Sequence, residues 1–321
     1  MLKKEKTIKS KIKFILISLC TCKRPKLLKQ ALESVNGTIN VESDIKIEIL
    51  VVDNDKEQSA KETIDEYKSR LNFPIHYYVE EKRGISNARN CVLEKAIKLG
   101  ASHIYFFDDD EILTKDCIAN HIKIYEENPK AIIVAGPTVY RFEEYYPKYI
   151  KKHMVFKQNT TKKTGSIRKN CATGNVFFPT TLIKDYGLRF SNKFVFMGGE
   201  DGDFFTKASN LGFTIVWNNN STVYEYIPAA RANLKYILRK CYYNGYSGAH
   251  QKFENNNKYK IKYLIKNILL LIANTIMTII SIFLGKTIFF NALGTTVRTI
   301  GKIDGTVSMR TYDFYREIYG E

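Results

Sequence analysis

Ile104-Tyr105-Phe106-Phe107-Asp108-Asp109-Asp110-Glu111 is the stretch on which the reading of this chain turns. Four apolar or aromatic residues run directly into four carboxylates. A buried strand that delivers acids at its C-terminal end is how open α/β sheets build ligand sites. Four adjacent carboxylates repel one another, and a hard cation such as Mg2+ or Mn2+, completed by substrate phosphate, relieves that repulsion. Taken alone, an acidic turn solvated at a strand end explains the stretch as well.

The neighbouring sequence repeats the arrangement. Ile12 to Leu19 reads as a buried strand and leads to Thr21-Cys22-Lys23-Arg24-Pro25, with Pro25 placed to open a helix. Ile45 to Val52 reads as a second strand and ends in Asp53-Asn54-Asp55. An amphipathic helix over Ser59–Leu71, a third strand over Ile75–Val79 and a helix capped at Ser86-Asn87 and stopped at Gly100 precede the acids. This order predicts a doubly wound, mainly parallel sheet flanked by helices. It gathers Thr21 to Arg24, Asp53 to Asp55, Arg83 to Asn90 and Asp108 to Glu111 on one rim.

The second half is less regular. Ala131–Val139, Asn175–Phe178, Phe213–Trp217 and Thr222–Glu225 read as strands, and Arg141–Lys169 as a basic, aromatic loop. Gly198-Gly199-Glu200-Asp201-Gly202-Asp203-Phe204-Phe205 opens a helix, with Asp203 a helix-opening acid and the two Phe in the core. We expect a catalytic domain over 1–227, with halves 1–112 and 113–227, and a helical region over 228–321. Two apolar segments mark that region, 268–284 and 287–297. The first is slightly short for a perpendicular span. A span, a re-entrant or in-plane hairpin, and a helix buried in a homo-oligomer or domain interface all remain open.

A net charge of +17 suits anionic partners. The six cysteines have no metal-knuckle spacing and read as free thiols of a reducing compartment. The short apolar run after the N-terminal lysines, without a small-residue cleavage site, argues for a first strand and against a signal peptide.

Thr21–Pro25, Val51–Asp55, Gly84–Asn90, Asp108–Glu111 and Gly198–Asp201 occur in an order that resembles the family 2 glycosyltransferases, which have the GT-A fold. The resemblance covers roughly residues 12–250. Glu225-Tyr226-Ile227-Pro228-Ala229-Ala230-Arg231 adds a likeness to the ExoM-like, succinoglycan branch of that family.

The resemblance implies a nucleotide-sugar donor, a divalent Mg2+ or Mn2+ and inversion at the anomeric carbon. It places Asp110 and Asp108 on the metal, with Glu225 where many relatives carry a metal-touching His. Thr21, Arg24, Asp53, Asn54, Arg83, Arg89, Asp108 and Asp109 fall on the donor side. Asn54 stands where a second acid is common, so the base is open, with uridine expected. Asp201 matches the usual base that accepts the acceptor's proton, and Glu200 stands beside it. The acceptor implied is a saccharide or lipid-linked saccharide at the cytoplasmic face of the inner membrane, with the C-terminal region on the membrane surface and no nucleic acid bound. A nucleotidyltransferase would need a glycine in the loop at 21–25, which has none. A non-catalytic basic nucleic-acid or membrane scaffold leaves the strand-end acids unexplained.

Overall fold

The computed structural model describes residues 9–37, 44–157, 160, 162–195, 198–253 and 258–308. The lysines at 3, 4 and 6 of the basic arm, and the residues at 196 and 197 before the Gly-Gly pair, lie outside them. In chain order the elements are β1 (Phe14–Thr21), α1 (Pro25–Asn36), β2 (Lys46–Asp53), α2 (Lys61–Tyr67), β3 (Ile75–Val79), α3 (Ile85–Lys98), β4 (His103–Phe106), β5 (Glu111–Leu113), α4 (Cys117–Glu127), β6 (Ile133–Ala135) and β7 (Thr138–Phe142). Then come α5 (Lys148–Lys151), β8 (Ile167–Arg168), β9 (Val176–Pro179), α6 (Thr181–Lys184), α7 (Glu200–Asn210), β10 (Ile215–Trp217), β11 (Val223–Ile227), α8 (Leu234–Phe253), α9 (Lys260–Ser281) and α10 (Lys286–Val307).

The chain forms two compact units, Met1–Val139 with Gln158–Glu225, and Tyr140–Lys157 with Tyr226–Glu321. The segment 140–157 thus belongs with the C-terminal helices, whereas the sequence reading ran one domain unbroken to 227.

In the first unit an eight-stranded sheet has the order β3-β2-β1-β4-β9-β6-β10-β8. β3, β2, β1 and β4 are mutually parallel, and β10 is parallel to β6. β9 runs antiparallel between β4 and β6, and β8 antiparallel beside β10. Alternation of side chains across the sheet explains the two cores. Phe14, Leu16, Leu50 and Val52 face one layer with α3, Phe204 and Phe205. Ile15, Ile17, Ile49 and Val51 face the other, with α1, α2 and α4. Both faces are covered, so the strands read as continuous apolar runs. A smaller sheet has the order β5-β11-β7.

Two sequence expectations change. The run 131–139 is two strands, because Gly136-Pro137 interrupts it and Pro137 has no N–H to give a ladder. The helix expected to be capped by Ser86-Asn87 is instead capped by Gly84, at φ 125, and both residues lie inside it. A Cβ at Gly84 would collide with Val195, so close approach as well as φ demands glycine there.

Candidate active site

β1 lies between β2 and β4, so the strand order reverses where their C-terminal ends meet. A crevice outside such a reversal is where doubly wound sheets hold ligands. The four acids emerge from β4 at this point, and each is held differently. Asp109 is buried: its Oδ2 accepts from the Thr21 hydroxyl at 2.7 Å and its Oδ1 from the Arg24 guanidinium at 2.9 Å. Burial pushes its carboxyl up to about 6 against the pull of Arg24. Asp110 stands 3.5 Å from the same guanidinium. Glu111 is buried and accepts from the Asp108 N–H at 2.9 Å and the Thr138 hydroxyl at 2.9 Å. Burial, then the charges of Asp108 and Glu225, holds Glu111 well above the usual carboxylate range. Glu225 lies opposite Glu111 in the β5–β11 pair.

Asp108 keeps 45 % of its side-chain surface in solvent. Its carboxyl is raised by desolvation and by Asp110 and Asp201, against the pull of Arg89. Its open surface moderates the desolvation part. Gly174 backs the site: a Cβ there would stand 2.8 Å from Glu111 Oε1 and 3.2 Å from Asp108 Oδ2.

The second acid pair opens α7. Gly199, left-handed at φ 94, caps this helix, and Glu200, Asp201 and Asp203 fill its first turn, where the helix dipole favours anions. Arg89 joins the two clusters. It is buried, pairs with Glu200 Oε1 through one guanidinium nitrogen, and reaches Asp108 at 3.3 Å through the other. Burial raises Glu200 to about 7, opposed by Arg89 and reinforced by Asp201. Glu200 Oε2 is buried without a hydrogen-bond partner among the described residues. Asp201 is half-buried, with Oδ1 accepting from the Gly202 N–H at 2.6 Å. Asp203 pairs outward with Lys207 at 2.6 Å.

On the nucleotide side the structure alters the expectation for β2. Asp53 is fully buried; its Oδ2 accepts from the Ala60 N–H at 2.8 Å and the Tyr77 hydroxyl at 2.9 Å. Asn54 donates to the carbonyls of Glu80 and Lys82 and accepts from the Gly84 N–H. Its amide fastens the 80–84 loop and presents no donor to a base edge. Arg83 follows in that loop, half-buried, and its carbonyl accepts from the Asn87 amide at 3.0 Å. Arg89, expected on a diphosphate, lies between Glu200 and Asp108.

One hub escaped the sequence reading. Asn175, at φ 71 and fully buried, accepts at Oδ1 from Tyr105 and His121 and donates to the carbonyls of Pro137 and Ser221. It ties together the turns that carry Gly174, β6 and β11. Its partners lie 38 to 70 residues away in sequence, so no local motif announced them.

The donor set at the β4 end suits a hard divalent cation. It consists of oxygen atoms whose mutual repulsion already raises Asp108. Among the described residues no three His, Cys, Asp or Glu side chains already converge as a cage. One or two carboxylates with the rest of the shell from phosphate and water is the usual Mg2+ arrangement. The sequence matches the family description "Glycosyl transferase family 2" over residues 17–187, more than half of the chain. The chain belongs to glycosyl transferase family 2. A second description, "Glycosyl transferase family group 2", matches residues 103–299.

Among characterised relatives, the succinoglycan biosynthesis protein ExoM of Rhizobium meliloti (strain 1021) is 28% identical over 229 residues, 71% of this chain and 72% of that protein. The chain falls in this ExoM-like branch. The uncharacterized glycosyltransferase YfnE of Bacillus subtilis (strain 168) is 30% identical over 132 residues, 40% of this chain and 31% of that one. Among solved structures, the mannosyltransferase PcManGT from Pyrobaculum calidifontis, in complex with GDP-Man and Mn2+, superposes with a TM-score of 0.64 at 14% identity. The match covers 92% of this chain and 88% of that one. TarS 1-349 of S. aureus, in complex with UDP-GlcNAc, gives 0.52 at 13% identity, covering 91% and 90%. These likenesses establish the GT-A fold, a central sheet flanked by helices with an apolar C-terminal helix.

Proposed function

We propose that this glycosyltransferase moves a hexosyl group, with inversion, from a nucleotide-sugar to a saccharide or lipid-linked saccharide during cell-surface polysaccharide synthesis at the cytoplasmic face of the plasma membrane. The observation that carries the reading is the meeting of two acid clusters across one buried arginine. Asp108 and Asp110 leave the strand reversal on one side, and Glu200 and Asp201 open α7 on the other. The solved relatives carry UDP-GlcNAc or GDP-Man. We assign a UDP-sugar as donor.

Asp201 accepts the acceptor hydroxyl's proton as that oxygen attacks the anomeric carbon. The bond from that carbon to the diphosphate oxygen breaks on the opposite face, and the diphosphate leaves with the electron pair. Arg89 holds Glu200 and Asp108 at fixed positions, so the two clusters keep their spacing while charge moves between them. Asp110 and Asp108 would hold Mg2+ or Mn2+, with Glu225 behind them. Such an ion, when bound, supplies Lewis-acid neutralisation of the diphosphate. Thr21 and Arg24 keep Asp109 turned away from the crevice, which leaves Asp108 and Asp110 facing it. Arg83 stands on the donor side for the phosphates.

Melting the protein with UDP-, GDP- and dTDP-sugars, each with and without Mn2+, tests the donor side. A rise in Tm with a UDP-sugar that needs Mn2+ supports the reading. No shift with any pair would sink the donor-site assignment.

A further inference from the structure

In the second unit α9 has its polarity inside out. The residues it turns inward follow a 4-3 spacing: Asn267, Leu271, Asn274, Thr278 and Ser281. Most are polar, and they meet α10 by side chain: Asn274 donates to the Thr299 hydroxyl at 3.0 Å, and Thr278 and Thr296 hydroxyls bond at 2.9 Å. At about 100° per residue the opposite line is Ile265, Leu269, Ile272, Ile276, Ile280 and Phe283, all exposed. An amphipathic helix in water does the reverse. Polar residues gluing helix to helix with Ile and Leu outward is the pattern of a helix in hydrocarbon. Lys262 and Lys266 at one end and Lys286 at the other are exposed beside this face and match anionic headgroups in charge.

Lys260–Leu284 is 25 residues long and contains an 18-residue stretch with a mean hydropathy of 2.2, enough by length to cross a bilayer. Its neighbours decide otherwise. On α10 the stripe Gly294, Arg298, Gly301 and Gly305 lies roughly opposite Thr296 and Thr299. That stripe is pressed against α8: a Cβ at Gly301 or Gly305 would collide with the Tyr242 or Tyr246 carbonyl. Nearer the α9–α10 turn the same side of α10 takes the His153 ring at the Phe290 carbonyl, 3.0 Å, and the Met154 N–H at Asn291, 2.8 Å. Standing α9 upright would therefore carry α5 and α8 into hydrocarbon with Lys148, Lys151, Lys152, Lys235 and Arg239. A lysine or arginine is costly there unless it reaches a headgroup or a water-filled cavity.

We infer that α9 is a monotopic anchor, lying flat in one leaflet of an anionic bilayer with the Ile265–Phe283 line buried and α10 beneath most of its length, its first turn also touching α8, at Tyr263 on Phe253. This deepens the membrane part of the proposed function, and it does not depend on sugar transfer.

The full chain is tested on phosphatidylcholine vesicles with and without about one third phosphatidylglycerol. Binding to the anionic vesicles, at least about 10-fold weaker on the neutral ones, is expected. Ile272→Asp with Ile276→Asp lowers partition at least about 100-fold and leaves the vesicle-free Tm unchanged, because both positions already face solvent. Ile265→Trp, Ile276→Trp and Phe283→Trp, read against Trp217 deep in the first unit, are quenched equally by shallow spin-labelled lipid. Deeper quenching at 276 than at both ends overturns the flat geometry in favour of a span. No vesicle binding, with a concentration-dependent dimer that the Asp pair abolishes, overturns the lipid partner in favour of a second copy. Vesicle binding without transfer from any donor leaves this inference standing and refutes the function.

Discussion

The two acid clusters of the first unit tolerate their charge by opposite means. At the end of β4 the carboxylates are spread over separate partners: Asp109 goes to Thr21 and Arg24, Glu111 to a backbone N–H and Thr138, Asp108 to Arg89, and Asp110 stands 3.5 Å from Arg24. At the start of α7 one acid, Glu200, is neutralised by a buried arginine, while its neighbour Asp201 bonds only its own helix turn among the bonds described. The difference teaches a division of labour. On the proposed function, the strand end receives positive charge from outside, and the helix end keeps one carboxylate poised beside another already paired.

The sharpest way to break that comparison is to remove one acid from each cluster. Asp201→Asn is expected to lower transfer by about 10³-fold with the fold intact, as general-base loss does, whereas Asp203→Asn, paired outward to Lys207, changes transfer little. Equal losses from the two variants, measured with labelled donor sugar, would refute the assignment of the base. Next in size, Arg89→Met strands Glu200 in the interior and should destabilise the protein by about 3–5 kcal/mol in urea unfolding at pH 8. The double variant with Glu200→Gln should recover much of that. No recovery would mean that the arginine matters for packing alone. Asp110→Ala and Asp108→Asn are then expected to abolish the Mn2+-dependent part of the donor-induced rise in Tm while sparing the fold.

Acidity supplies a gentler test. Glu200, raised by burial to about 7 from 4.5, and Asp109, raised to about 6 from 3.8, keep protons in the folded chain that the unfolded chain has released. Their contribution to stability is present below the unfolded values and is lost as pH rises through about 6 to 7. Without metal, Tm should fall from pH 5 to pH 8, and Glu200→Gln should flatten the slope. A flat metal-free profile would show that Arg89 outweighs burial.

The parallel half of the sheet was legible because three of its strands, β1, β2 and β4, combine a buried apolar run with polar residues at the C-terminal end. Phe14–Thr21, Lys46–Asp53 and the acids after Phe106 all follow it. β9 was legible as a strand at Asn175–Phe178, but its antiparallel pairing, and the two-residue β8, were not, since pairing of strands that short is decided by neighbours distant in sequence. Asp108 to Glu111 were visible as a cluster, but their division between inward and outward roles depends on Thr21, Arg24 and Thr138, which only the fold brings near. The hold of Asn54 on the 80–84 loop was hidden for the same reason: its partners lie 26 to 30 residues away in sequence. The apolar segment 268–284 did not announce where α9 begins, at Lys260, because Lys260, Lys262 and Lys266 interrupt the apolar pattern over its first turns.

The division of the chain has a practical side for anyone who wants a soluble catalytic fragment. Cutting after Glu225 removes α8 to α10 but retains 140–157, where Ile150 and Phe156 are packed with Ile237 and Cys241 of the discarded part. Such a truncation would display a fresh greasy patch and invite aggregation. A fragment that also replaces 140–157 with a short polar bridge removes both halves of that cluster at once.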